Sequence, residues 1–237
     1  MTALIIGLFI VAALASIPIA HALVLASVGG LLIIDRVPVH LAVEQMLTQT
    51  QSFPLIAIPF FMMTGALMVS GRLGQSLVNL LTMMIGRVHG GPAQVGVLSS
   101  TIFGGVSGSA VADASAIGSM LIPWLKNLGY PAPFAAGTLA AAATIDILIP
   151  PSIPMIVYAL VSGASIGALF VAGILPGLLM CGGFMLVCYI QGRRRSFPRD
   201  TTPFQWDAFG HQLLHAGPAL AMPVLIIIFL RFGIATP

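Results

Sequence analysis

Apolar stretches too long for a soluble core alternate along this chain with short polar ones. The first runs from Leu4 to Ile34, interrupted by Pro18 and His21. It exceeds what a crossing of about 30 Å needs, which leaves one kinked, tilted helix or two shorter helices. From Val39 to Ser52, His40, Glu44 and Gln45 mix with Leu41, Val43, Met46 and Leu47, a composition suited to a short helix at the membrane interface. Pro54 to Val69 is apolar again and predicts a return into the membrane. Between Leu73 and Val88 the pattern weakens, with Gln75, Ser76, Asn79 and Arg87 among leucines, and predicts an interfacial or arm-like helix.

Two later stretches are interrupted in ways that matter more. Pro92 to Pro123 is split by Gly104-Gly105-Val106-Ser107-Gly108-Ser109, a run of small residues that predicts two half-length helices meeting at an irregular tip. Pro131 to Val161 is broken at Ile149-Pro150-Pro151-Ser152-Ile153-Pro154, because proline neither donates to a helix nor tolerates helical backbone before it. That predicts a discontinuous helix. Leu169 to Ile190 is the cleanest span, Arg193, Arg194, Arg195 and Arg199 follow it, and Pro218 to Phe232 starts another. The expected fold class is all-α: a polytopic helical membrane protein with a re-entrant hairpin and a discontinuous helix.

Composition removes a soluble alternative. Hydrophobic residues make up 58% of the 237 and charged residues 6%, with a mean hydropathy of +1.08, whereas soluble domains carry about 25% charged residues. At roughly 20 residues per crossing the length admits about six to eight spans. The net charge of +3 comes from few basic residues, most of them flanking apolar runs. The positive-inside rule accounts for them, and no nucleic-acid partner is implied. With the arginine cluster in the cytoplasm, Arg72, Arg87 and Lys126 join it if the Pro92 to Pro123 segment enters and leaves on one side. Arg36 and Arg231 then lie opposite, and the N-terminus is cytoplasmic provided the first stretch is a single span. Leu4 onward lacks a basic leader and a small-residue cleavage site, so it reads as a retained span. Cys181 and Cys188 read as packing residues of one helix, too far apart there to bridge.

Unwound backbone at membrane depth is tolerated only when it is buried in protein or lines a wet cavity. At the first break it offers carbonyl oxygens to a bare cation, while the half-helix that follows offers N–H groups and a positive dipole end to an anion. Ser107 and Ser109 hydroxyls can complete either shell. The second break repeats this chemistry with Thr144 before it, carbonyls freed by Pro150, Pro151 and Pro154, and Ser152 opening the next half-helix. Paired broken helices point to a transporter binding site, whereas the bland reading is close packing by Gly and Ser and simple proline kinks. Asp113 can be a cation ligand, a dipole partner or a structural acceptor.

The stretch GGVSGSAVAD from Gly104 to Asp113, followed by Ile122-Pro123, Gly129-Tyr130, Phe134-Ala135-Ala136 and IPPSIPM from Ile149 to Met155, resembles the large membrane subunit of tripartite ATP-independent periplasmic (TRAP) transporters, the DctM-like family. The resemblance covers nearly the whole chain but only the first of that family's two inverted repeats, so it implies a fragment or truncated product. It further implies a permease in the bacterial cytoplasmic (inner) membrane that takes up small organic acids such as dicarboxylates by an elevator motion coupled to Na+. Its partners would be a small membrane subunit and a soluble periplasmic substrate-binding protein. Carried onto this sequence, sodium ligands fall on Ser107, Gly108, Ser109, Thr144, Pro150 and Pro151, and substrate contacts on Ser109 and Ser152. Residues 1–237 form a single membrane domain in this reading: scaffold and arm helices in 1–91, a transport core in 92–161, a span and basic cytoplasmic loop in 162–200, and an interfacial helix leading into the second repeat in 201–237.

One position departs from the family. Where small or proline residues usually precede the double proline, this chain has Asp146. An intramembrane Asp costs about 2.5 to 3.5 kcal/mol at a helix centre and is a functional candidate by default. The expectation is that it faces the cavity and adds charge near a cation.

Two other classes share part of this chemistry. An intramembrane aspartyl protease would use Asp113 and Asp146 as a carboxyl pair sharing a proton, but its Gly-x-Gly-Asp sequence is missing. A channel or scaffold subunit would share the hydropathy and show no substrate-coupled flux. No phosphate-binding Gly-x-x-x-x-Gly-Lys-Ser/Thr loop is present, so energy must come from an ion gradient or another subunit. No enzyme and no cofactor are expected.

Overall fold

The computed structural model describes residues 2–34, 38–51, 53–200 and 206–231. Arg36, the 201–205 link and the 232–237 end, on which parts of the expected topology rest, lie outside the described residues, as does the side chain of Arg231. Every regular element among the described residues is helical. The chain separates into two compact units, Met1–Ile56 and Ala57–Pro237.

In the first unit α1 (Thr2–Leu14) and α2 (Ile19–Ile34) are separate helices, followed by α3 (Val39–Thr50). Pro18 cannot continue α1, and Ser16 turns the chain with φ 61°. Ala22, Ala26 and Gly30 are buried at four-residue spacing on one face of α2. A Cβ at Gly30 would stand 2.6 Å from Cγ1 of Ile5, so small residues let α1 and α2 pack closely. The first apolar stretch is therefore two helices rather than one kinked helix.

The second unit is organised around α6 (Gly91–Ser107), buried along nearly its whole length. Around it pack α5 (Arg72–Ile85), α7 (Ala110–Asn127), α8 (Ala132–Ala143), the 3-10 turn Thr144–Ile147, α10 (Ile166–Arg194) and α11 (Trp206–Arg231). α4 (Phe53–Ser70) precedes them and α9 (Ile153–Ser162) follows the 3-10 turn. A helix covered on all sides needs its polar groups satisfied inside. Thr101 donates to the Val97 carbonyl at 2.9 Å and Gln94 to the His89 carbonyl at 2.8 Å. α5 is amphipathic, burying Leu77, Val78, Leu80 and Leu81, so the segment expected to be interfacial or arm-like is packed onto α6 and α11.

α10 is the one helix among the described residues long and apolar enough to cross a membrane by itself, 29 residues with both cysteines buried and free. Leu175, Leu178, Leu179 and Leu186 stand exposed on it, as lipid-facing side chains do. The remaining apolar helices are shorter, including Thr2–Leu14, Ile58–Met68 and Ile153–Ser162.

One end of the unit gathers the basic residues. Asp200 N donates to the Gly86 carbonyl at 3.0 Å, and the Tyr130 hydroxyl to the Pro198 carbonyl at 3.0 Å. A Cβ at Gly90 would run into the Cys188 carbonyl. The α5–α6 turn, the α7–α8 turn and the end of α10 thus meet, bringing Arg87, Lys126, Arg193, Arg194, Arg195 and Arg199 to one end. Partial burial, then Arg199 and Arg193, lower the pKa of His89 there. Both open ends of the α6–α7 pair lie at this end, and its closed end lies away from it.

Candidate functional site

The closed end of α6–α7 is shorter than the sequence suggests. α6 stays helical through Gly104 and Gly105 to Ser107, and the break is confined to Gly108 and Ser109. Gly108 caps α6 with φ 61°, its N–H donating to the Gly104 carbonyl at 2.9 Å. Ser109 is the N-cap of α7, its hydroxyl accepting from Ala112 N at 3.4 Å. Ser109 N in turn donates to Ser107 Oγ at 3.4 Å. Two serines and one left-handed glycine thus satisfy part of what two helix ends leave open.

The second break begins earlier than its prolines. α8 stops at Ala143 and tightens into the 3-10 turn Thr144–Ile147, after which Leu148 to Ser152 is non-helical and α9 starts at Ile153. Ser152 is fully buried and its hydroxyl donates to the Ile147 carbonyl at 2.8 Å, pinning the two sides of the break together. Thr144 is exposed, and its hydroxyl donates to the Ala141 carbonyl of its own helix at 2.6 Å.

The two breaks, more than forty positions apart, touch directly. Ile153 N, the first N–H of α9, donates to the Gly108 carbonyl at 3.2 Å. A Cβ at Gly108 would run into the Pro151 carbonyl oxygen. Ser107, Gly108, Pro150, Pro151 and Ser152 are all buried at this junction, with Ser109 half-buried at its edge. The Gly108 and Pro151 carbonyls therefore meet where the two breaks touch, beside the N-termini of α7 and α9. This is a set of hard oxygen donors for a small cation, next to N–H groups and dipole ends suited to an anion.

Residues that the sequence did not single out complete the junction. A Cβ at Gly65 of α4 would stand 2.6 Å from the Ser107 Cβ, so α4 lies against the tip. Gly173 and Gly177 of α10 admit the Leu148 carbonyl and the Ile149 side chain, the latter 2.5 Å from where a Cβ at Gly177 would be. Glycine inside an apolar stretch was the available signal, but the chain has 26 glycines. Only packing tells these from the rest.

Asp113 and Asp146 also meet. Asp113 lies in the first turn of α7 and Asp146 on the 3-10 turn, and the two carboxylates interact with each other. They are 1% and 0% exposed, so Asp146 faces the packed interior rather than an open cavity. A Cβ at Gly104 would run into the Asp146 carboxylate, which therefore lies directly on α6.

Comparison with known proteins assigns the family. Residues 6–237 match the family described as tripartite ATP-independent periplasmic transporter, DctM component. Over its full length the chain is 46% identical to the uncharacterized protein y4mL of Sinorhizobium fredii, covering 57% of that protein. It is 38% identical to the 2,3-diketo-L-gulonate TRAP transporter large permease protein YiaN of Escherichia coli, over 93% of this chain and 52% of the relative. Identity to the C4-dicarboxylate TRAP transporter large permease protein DctM of Rhodobacter capsulatus is 34%, over 100% of this chain and 57% of the relative. The chain spans about half the length of the curated relatives it matches. With its broken-helix pair and its match along nearly every residue, the chain belongs to the DctM family of TRAP transporter large permeases, a family of transport proteins rather than enzymes.

Proposed function

We propose that this chain supplies the first repeat of a permease that imports a small organic acid across the bacterial inner membrane, driven by sodium. The observation that carries the reading is the contact between the two breaks, from Ile153 N to the Gly108 carbonyl. Sodium, as transported coupling ion, is held by oxygens of Ser107, Gly108, Ser109, Thr144, Pro150 and Pro151. Its charge draws the tip and the break together and fixes the N-termini of α7 and α9. Ser109, Ser152 and those N-termini then receive the substrate carboxylate on this side of the site. The Ser152 hydroxyl donates to the Ile147 carbonyl, so it serves the substrate by holding the break in shape.

The α6–α7 pair acts as a re-entrant hairpin. Its first arm, 17 residues or about 26 Å of helix, is too short to cross a hydrocarbon layer of about 30 Å. The loaded core moves as an elevator, and a small membrane subunit and a periplasmic substrate-binding protein complete the assembly. The organic-acid class is supported by two relatives whose names specify 2,3-diketo-L-gulonate and C4-dicarboxylate, both carboxylates.

The test is sodium-dependent uptake by the complete assembly carrying Ser107→Ala and Ser109→Ala together. The sodium concentration for half-maximal uptake should rise, and an unchanged sodium dependence would overturn the reading. A channel or scaffold subunit would instead give conductance or partner binding with no sodium-coupled accumulation.

A further inference from the structure

The junction between the breaks leaves one buried group unexplained. Neither carboxylate oxygen of Asp113 nor of Asp146 has a hydrogen-bond partner, and the buried hydroxyls of Ser99 and Ser100 on α6 are likewise unpartnered. Asp146 lies on Gly104 of α6, one turn along from Ser100, and Asp113 opens a helix packed against both α6 and the 3-10 turn. Bare carboxylates removed from water need a compensating charge or ligand. The basic residues on elements packed around the pair are remote along their helices: Lys126 lies in the last turn of α7, about 20 Å of helix from Asp113, and Arg193 and Arg194 lie in the last turn of α10.

We propose that Asp113, Asp146 and Ser100 enclose a second sodium site, separate from the junction of the two breaks. The oxygens suit a hard monovalent cation, which favours carboxylate and hydroxyl donors over nitrogen or sulfur. One sodium lowers the charge of the pair from two negatives to one, and the N-terminal end of α7, on whose first turn Asp113 sits, offsets part of the remainder. Asp146 belongs to the 3-10 turn and Asp113 to the helix that starts at the tip, so an ion here clamps the same two elements that the junction joins. The site deepens the sodium-coupled reading above by assigning a further ion to it.

Sodium binding to the purified full chain tests this, read as the rise in melting temperature with NaCl against choline chloride at constant ionic strength and as 22Na+ bound per chain. Asp146→Asn and Ser100→Ala, each checked for an unchanged elution volume, should raise half-saturating sodium about tenfold or more and lower the 22Na+ bound. Asp146→Asn should also melt higher than the parent in sodium-free buffer, because it removes an uncompensated charge. Unchanged sodium affinity in both variants overturns the proposal, as does a parent chain whose melting ignores sodium and which binds no 22Na+ because protons alone fill the pair. A loss confined to Ser107→Ala with Ser109→Ala would sink this site and leave the junction site standing. Failure of the junction reading is judged separately, from uptake by the complete assembly.

Discussion

Gly108 carries two constraints: its φ of 61° is one that side chains resist, and the Pro151 carbonyl occupies the space a Cβ would fill. Gly108→Ala should therefore destabilise the chain by about 1–3 kcal/mol, seen as a lower melting temperature, and abolish uptake in the assembled transporter. Ser152→Ala removes one buried hydrogen bond, to the Ile147 carbonyl, and should cost about 1 kcal/mol on the same measurement. Thr144 is exposed and bonded only to its own helix, so Thr144→Ala should change stability by no more than about 0.5 kcal/mol. Any change in sodium dependence there would then report ion contact rather than folding. The special backbone at Gly108 and the chain break at Pro150 were legible in the sequence, because a missing Cβ and a missing N–H act on the residue's own dihedrals. The carboxylate pair was legible only as two acids in apolar sequence. That they face each other depends on how α7 meets the 3-10 turn.

Among elements, the hairpin and the broken helix were both foreseeable, but their extents were not. Small residues from Gly104 to Ser109 suggested an unwound stretch, yet α6 runs on to Ser107, since glycine permits helix when neighbours pack on both sides. Gly104 and Gly105 instead admit Asp146 and Pro223 against the helix. Conversely, α8 ends well before Pro150, tightening into the 3-10 turn Thr144–Ile147. The role of α4 was not readable, as nothing local to Gly65 says that Ser107 lies on it. Gly65→Val should push α4 off the tip: uptake is expected to fall several-fold, with the melting temperature lowered less than by Gly108→Ala. A variant with wild-type uptake would show that α4 does not support the tip.

The whole molecule sets the basic end of the second unit against the closed end of the α6–α7 hairpin, and α10 spans the distance between its two termini. With the arginine cluster in the cytoplasm, a cysteine at exposed Arg195 should react with a membrane-impermeant maleimide in inverted vesicles, and one at exposed Gly163, just before α10, in intact spheroplasts. Buried Cys181 and Cys188 should contribute little background. Labelling of both positions from one side would refute a full crossing by α10. By itself the sequence determined the membrane class, the all-helical fold, the transporter family and the two points where helices must break. These follow from hydropathy summed along the chain and from backbone limits local to Gly and Pro, which need no knowledge of neighbours. Tertiary structure alone decided that the first apolar stretch is a pair of helices, that the two breaks share a hydrogen bond, that Gly65 supports one of them and that Asp113 meets Asp146. The last three join residues brought together by packing around α6, and contacts between segments far apart in sequence leave no mark on either segment taken alone.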